Sequence, residues 1–183
     1  MKSPFGYQRI LIVLLTLALG QLACSFGAQP SNAGSQETPS SDAQATQPAP
    51  ATLSERGTPD EAKAMLQKAL DHYNSVGREK ALADFNGRVA PFFDRDLYVV
   101  CMGSDQLETA NGGFPQYVGT SADAVKDTDG NPLGKTVWNT ASTTSVNSVD
   151  YHWINPVSGQ TEPKTLFFQK VGTDVCGVGA YNP

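Results

Sequence analysis

The chain has 183 residues, 39% of them hydrophobic, with 13 Lys and Arg against 18 Asp and Glu. That length suits one ordinary domain plus additional segments rather than two domains. Setting aside Lys2 and Arg9 at the N-terminus leaves 11 basic against 18 acidic residues, a charge near −7; this argues against a nucleic-acid partner, which needs a basic surface, but not against a small anion, which one buried cation can hold.

Residues 1–24 have the order of a secretory signal. Lys2 and Arg9 form a basic n-region, residues 10–19 (ILIVLLTLAL) an apolar h-region, and small residues follow. The apolar run is shorter than the ~20 residues that span a bilayer comfortably, so export is the expectation and a retained anchor helix the alternative. Leu22-Ala23-Cys24 resembles the end of a bacterial lipobox, in which the Cys is lipidated. It departs from that pattern at Gln21, where Leu is common, and Ala18-Leu19-Gly20 would serve an ordinary signal peptidase. The expected location is therefore the bacterial periplasm or cell envelope, with a lipid anchor to the membrane if Cys24 is the processing site.

Residues 25–57 are rich in Ser, Ala, Pro, Gln and Thr, and after Phe26 almost no large apolar residue occurs. Such a segment cannot bury enough surface to offset its chain entropy, and it reads as a disordered tether. Order is expected from Thr58, so residues 58–183 form the folded domain. Thr58-Pro59-Asp60-Glu61 is a helix start: an N-cap Thr, Pro in the first turn and Glu three residues after the cap. Ala62, Met65, Leu66, Ala69, Leu70, Tyr73 and Val76 then recur at steps of three and four, and Gly77 ends the helix. A shorter helix over residues 79–85 presents Ala81, Leu82 and Phe85.

Beyond Asn86 the pattern changes to strands and turns. Residues 97–102 (LYVVCM) are β-rich, and residues 106–110 suggest a short second strand before the Asn111-Gly112-Gly113 turn. Residues 114–132 read as loop and 135–144 as a weak short helix. Residues 146–154 alternate, with Val149, Tyr151 and Trp153 on one face; a turn at 155–159, a return strand at 165–171 and a last strand at 175–181 complete a meander. Helices first and antiparallel strands after predict an α+β fold, one antiparallel sheet packed by the N-terminal helices.

Few residues suggest catalysis or metal binding. Asp127, Asp129, Gly130 and Asn131 hint at a calcium loop, but Pro132 and Trp138 stand where an EF-hand needs Gly and Glu, so a polar turn is the better reading. His72 and His152 lack a nucleophile motif nearby, and a surface or pocket-lining role fits them better than general-base catalysis. With Cys24 lipidated or removed, Cys101 and Cys176 remain as an even pair suited to an oxidising compartment. No CxxC motif or Cys/His cluster occurs, so neither a metal, a cofactor nor an enzymatic activity is expected.

Several segments together resemble the single-Cache domain of the second type, an extracytoplasmic bacterial sensor module. They are VGREKALADFN at 76–86, DLYV at 96–99, YVG at 117–119, DTDG at 127–130, GK at 134–135, YHWINP at 151–156, PK at 163–164 and GVGAY at 177–181. The resemblance implies a PAS-like antiparallel sheet, a long N-terminal helix packed against it, and a pocket on one sheet face for a small organic ligand, often a short carboxylate. In such a sheet the first and last strands lie side by side, which would make Cys101 and Cys176 cross-strand neighbours; a disulfide and two buried thiols are both open. Typical members sit between two transmembrane helices, whereas no second hydrophobic segment follows here. The expected protein therefore binds or senses a small organic acid and acts through a membrane-bound signalling partner; a structural module of an envelope complex is the alternative.

The candidate ligand site is Tyr151 and Trp153 on one strand face, Lys164 at the start of the partner strand, and Tyr98 on the first strand. Aromatic walls exclude water, and an ammonium supplies charge-assisted bonds to a carboxylate. The opposing reading makes the rings ordinary core and leaves Lys164 in solvent.

Overall fold

The computed structural model describes residues 56–182. The expected signal segment, with Cys24, and nearly all of the expected tether lie outside the described residues. Arg56 and Gly57, placed in the tether by composition, are built into the fold: Gly57 N–H donates to Asp96 Oδ1 at 2.6 Å and Arg56 pairs with Glu162 at 2.5 Å.

The first helix, α1 (Pro59–Val76), starts with the capping box that its sequence encodes. Thr58 Oγ1 accepts from the Glu61 N–H at 3.2 Å, and Glu61 Oε2 accepts from the Thr58 N–H at 2.8 Å. Two amides that a helix cannot satisfy internally thereby find partners. Gly77 ends the helix at φ +83°, a conformation that favours glycine, and α2 (Arg78–Asn86) follows at once. The apolar stripe from Ala62 to Tyr73 is buried, as is the Ala81, Leu82 and Phe85 face of α2; Val76 alone of the expected stripe is exposed.

The strands are β1 (Phe93–Asp94), β2 (Leu97–Met102), β3 (Glu108–Asn111), β4 (Asn147–Ile154), β5 (Thr161–Val171) and β6 (Asp174–Tyr181). They form one six-stranded antiparallel sheet in the order β1-β2-β6-β5-β4, with β3 also paired to β2. The fold is α+β, as the element order predicts. The first full strand and the last lie side by side, and Cys101 faces Cys176 across them, joined as a disulfide.

Three local departures have plain causes. The two-residue β1 is too short to leave a pattern. The helix α3 (Leu133–Thr140) begins two residues earlier than its composition suggests. β5 begins at Thr161 rather than Thr165: residues 161–163 pair with β4, the Pro163 carbonyl accepts from the Asn182 N–H at 2.9 Å on its other side, and strand pairing to β6 starts at Lys164.

The sheet separates two cores. On one face α1 and α2 pack Leu66, Phe85 and their neighbours against Leu97, Val99, Cys101, Cys176, Val178 and Ala180. Asp174 is fully buried at this boundary and accepts bonds from Tyr73 Oη at 2.5 Å and from Arg78 Nε at 2.7 Å, tying both helices to β6. On the other face, β3, the 115–132 loop and α3 cover Trp153, Leu166, Phe168, Val175 and Tyr181.

Candidate functional site

The second face encloses a cavity that leaves about 70 Å³ open to water-sized groups. A single water needs only roughly 10–15 Å³ by the same measure, so a small organic molecule fits where a large one does not. Strand alternation decides which side chains reach it. Tyr98, Val100 and Met102 point in from β2, Tyr151 and Trp153 from β4, and Lys164, Leu166 and Phe168 from β5. All four residues of the candidate ligand site thus line one cavity.

Lys164 stands at its polar end. Cross-strand register places it between Tyr151 on β4 and Tyr181 on β6. Only 1% of its surface is exposed, and Nζ donates to Tyr98 Oη at 2.9 Å. The ammonium also lies 4.1 Å from the centroids of both the Tyr98 and Tyr181 rings, where the negative faces of the π-systems attract it. Among the described residues, no carboxylate lies within ion-pair distance of it. Burial pushes its pKa well below the ordinary lysine value, opposed only by the more distant charge of Asp96. Burial likewise raises the Tyr98 and Tyr151 phenols well above their usual range, so both hydroxyls keep their protons.

Two glycines make this arrangement possible by close approach. A Cβ on Gly179 would stand 2.4 Å from Lys164 Cε and 3.2 Å from Tyr151 Oη, so only glycine leaves room for the lysine to lie flat over β6. A Cβ on Gly113 would meet the Tyr98 ring at 2.4 Å. The walls are aromatic: Trp153 is packed by Tyr151 at 6.0 Å, Tyr117 at 5.4 Å and Phe114 at 6.2 Å between centroids.

The polar end connects to the point where the chain enters the domain. Asp96 and Asn155 are both fully buried; Asn155 Nδ2 donates to Asp96 Oδ2 at 3.2 Å and to Glu162 Oε2 at 3.0 Å. Asp96 in turn holds Gly57, and Glu162 holds Arg56.

Sequence reasoning missed several residues of the cavity. Glu108 and Asn111 line it from β3, and Tyr181, which stands behind Lys164 rather than in the lining, supplies the second ring over it. The clue was the alternation of Gly177, Gly179 and Tyr181 on one strand face, which leaves space beside a long partner side chain. The histidines do not line the cavity. His72 Nε2 lies 2.9 Å from Asp84 Oδ2 between the two helices and stacks near Phe92, while His152 Nδ1 lies 2.6 Å from Asp129 at the surface. In the Asp127 turn, the carboxylate accepts from the Asp129 and Asn131 amides and from Asn131 Nδ2, so the turn's own groups occupy its oxygens. No described helix is long and apolar enough to cross a membrane.

The family model described as Single Cache domain 2 matches residues 54–173. Among solved structures, a methyl-accepting chemotaxis protein from Vibrio parahaemolyticus RIMD 2210633 is similar with a TM-score of 0.56 at 18% identity, over 67% of this chain and 86% of that one. A periplasmic sensor domain of a chemotaxis protein aligns at 20% identity with a TM-score of 0.49, over 68% of this chain and 90% of that one. A Cache chemosensory domain described for its carboxylic acid recognition aligns at 16% identity with a TM-score of 0.48, over 68% and 88%. A search of curated proteins found no match. At these identities the first likeness speaks for the fold, and the other two carry no further weight.

Proposed function

This chain belongs to the Single Cache domain 2 family of sensor modules, and from that premise we propose that it binds a small organic carboxylate in the cavity between the sheet and the cover formed by the 115–132 loop and α3. One observation carries the reading. Lys164 has 1% of its surface exposed and lines the cavity, with no carboxylate among the described residues to pair it. An unpaired buried charge is costly, and the two tyrosine rings offset that cost only in part. An anion entering the cavity supplies the missing partner and favours the charged lysine. In this reading Lys164 anchors the carboxylate, Tyr98 and Tyr181 orient the ammonium, and Tyr151 and Trp153 exclude water from the bond. A domain with a purely structural role gains nothing from keeping such a lysine over an apolar side chain of the same length.

Cache domains are extracytoplasmic, and the N-terminal segment is consistent with export. We place the protein in the bacterial periplasm or cell envelope, tethered by a lipid on Cys24 and signalling through a membrane-bound partner. Replacing Cys24 with Ala is expected to release the protein from membranes or block its processing. Wild-type protein cleaved normally and found wholly soluble would remove the anchor from the account.

The ligand reading is tested by a thermal-shift screen of the purified protein against small organic acids. A binder of the native state raises the melting temperature as its excess over Kd grows. At least one short carboxylate is expected to do so; no shift from any of them counts against the reading.

A further inference from the structure

The cavity holds a second buried ionisable group that the carboxylate reading leaves without a role. Glu108, on β3, is 7% exposed and lines the same cavity as Lys164. Its position is fixed. Asn111 Oδ1 accepts from the Gly113 N–H at 3.1 Å and the Phe114 N–H at 2.7 Å, which turns the amide so that Nδ2 donates to Glu108 Oε1 at 2.6 Å. Asn111 is itself held by Asn86, whose Oδ1 accepts the Asn111 N–H at 3.0 Å. No basic side chain among the described residues pairs with Glu108.

Lys164 and Glu108 do not neutralise each other. Lys164 bonds Tyr98, while Glu108 lies opposite Met102 at the other end of β2. The Glu108 carboxylate nevertheless turns back toward Asn111, opposite Val100, and its charge acts on the Tyr98 and Tyr151 phenols, whereas Asp96 is the charge that acts on Lys164. The cavity thus carries a lysine and a carboxyl that do not pair with each other, set in an apolar, aromatic wall. Burial raises the Glu108 pKa to about 7, so its carboxyl gives up its proton readily when a cation arrives beside it.

We infer that the cavity is built for a small amino acid, its carboxylate on Lys164 and its ammonium on Glu108, rather than for a simple carboxylate. The inference rests on the carboxylate reading of Lys164 and narrows it. A ligand with both charges completes two buried groups at once; an unsubstituted acid leaves Glu108 facing an alkyl chain. The volume limits such a ligand to a short backbone.

Calorimetric titration of matched pairs tests this: glycine against acetate, β-alanine against propionate, and γ-aminobutyrate against butyrate. At least one amino acid is expected to bind about tenfold or more tighter than its partner, the value of one charge-assisted hydrogen bond. Glu108→Gln keeps the shape and the contact with Asn111 but removes the charge, and should erase that preference. If the simple acids bind as tightly as the amino acids, or if Glu108→Gln retains the preference, the inference fails and the Lys164 reading stands. If neither series binds, both fail.

Discussion

The two faces of the sheet use the same strands for different ends. On the helix face the buried carboxylate Asp174 is bonded by Tyr73 and by the guanidinium of Arg78, and α1, α2, β2 and β6 supply an apolar core. On the cavity face Lys164 and Glu108 are buried too, yet neither has an oppositely charged partner among the described residues. The chemistry of burial is identical on both sides, so the difference lies in what remains to be supplied. One face is complete with protein groups alone. The other keeps a lysine and a carboxyl for which, under the proposed function, a ligand is the partner.

That contrast makes the variants on the two faces behave differently. Phe85, on α2, is fully buried against Phe92, and Phe85→Ala is expected to cost roughly 3–5 kcal/mol of stability in urea unfolding. Measured well below its midpoint, the variant should keep wild-type ligand affinity; a large loss of affinity would mean that the faces are not independent. The disulfide also belongs to the helix-side core. Reducing Cys101–Cys176, which closes a separation of 75 residues, should lower stability by roughly 2–4 kcal/mol. Reactive thiols at both positions in unreduced, denatured protein would show that the bond is not formed.

On the cavity face, pH replaces mutation as the lever. The Glu108 pKa is raised from 4.5 to about 7 by burial, so the folded state holds this proton more tightly than the unfolded chain. Its contribution is fully present below pH 4.5 and is lost as pH rises through about 7. The ligand-free protein should lose at most roughly 3 kcal/mol across that window, and Glu108→Gln should flatten that part of the profile. An unchanged profile in Glu108→Gln would mean that Glu108 is not the titrating group.

The faces also differed in how legible they were. The capping box at Thr58, the stripe from Ala62 to Tyr73 and the β-rich run at 97–102 are local signals, and they place the helix face almost residue by residue. The four candidate residues of the cavity were legible too, because strand alternation puts Tyr151 and Trp153 on one side and the hairpin brings Lys164 opposite. Glu108, Asn111 and Tyr181 were not. Glu108 reaches the cavity only because β3 folds back on β2 and Asn86 and Arg88 hold the following turn, the latter through the Gly112 carbonyl at 2.6 Å. Contacts made by loop closure leave no periodic trace. Nor does an acidic residue in a short strand announce that its face will be dry.

The most direct test of the central claim is calorimetric titration of acetate, propionate and butyrate into the wild type and Lys164→Met. Methionine keeps most of the stem and removes the buried charge, so the ligand-free variant should melt no lower than the wild type. The account predicts saturable binding of at least one of these acids to the wild type, weakened by roughly 30- to 150-fold, or about 2–3 kcal/mol, in Lys164→Met. Equal affinity in the two proteins, or no binding of any of the three acids to the wild type, would contradict it.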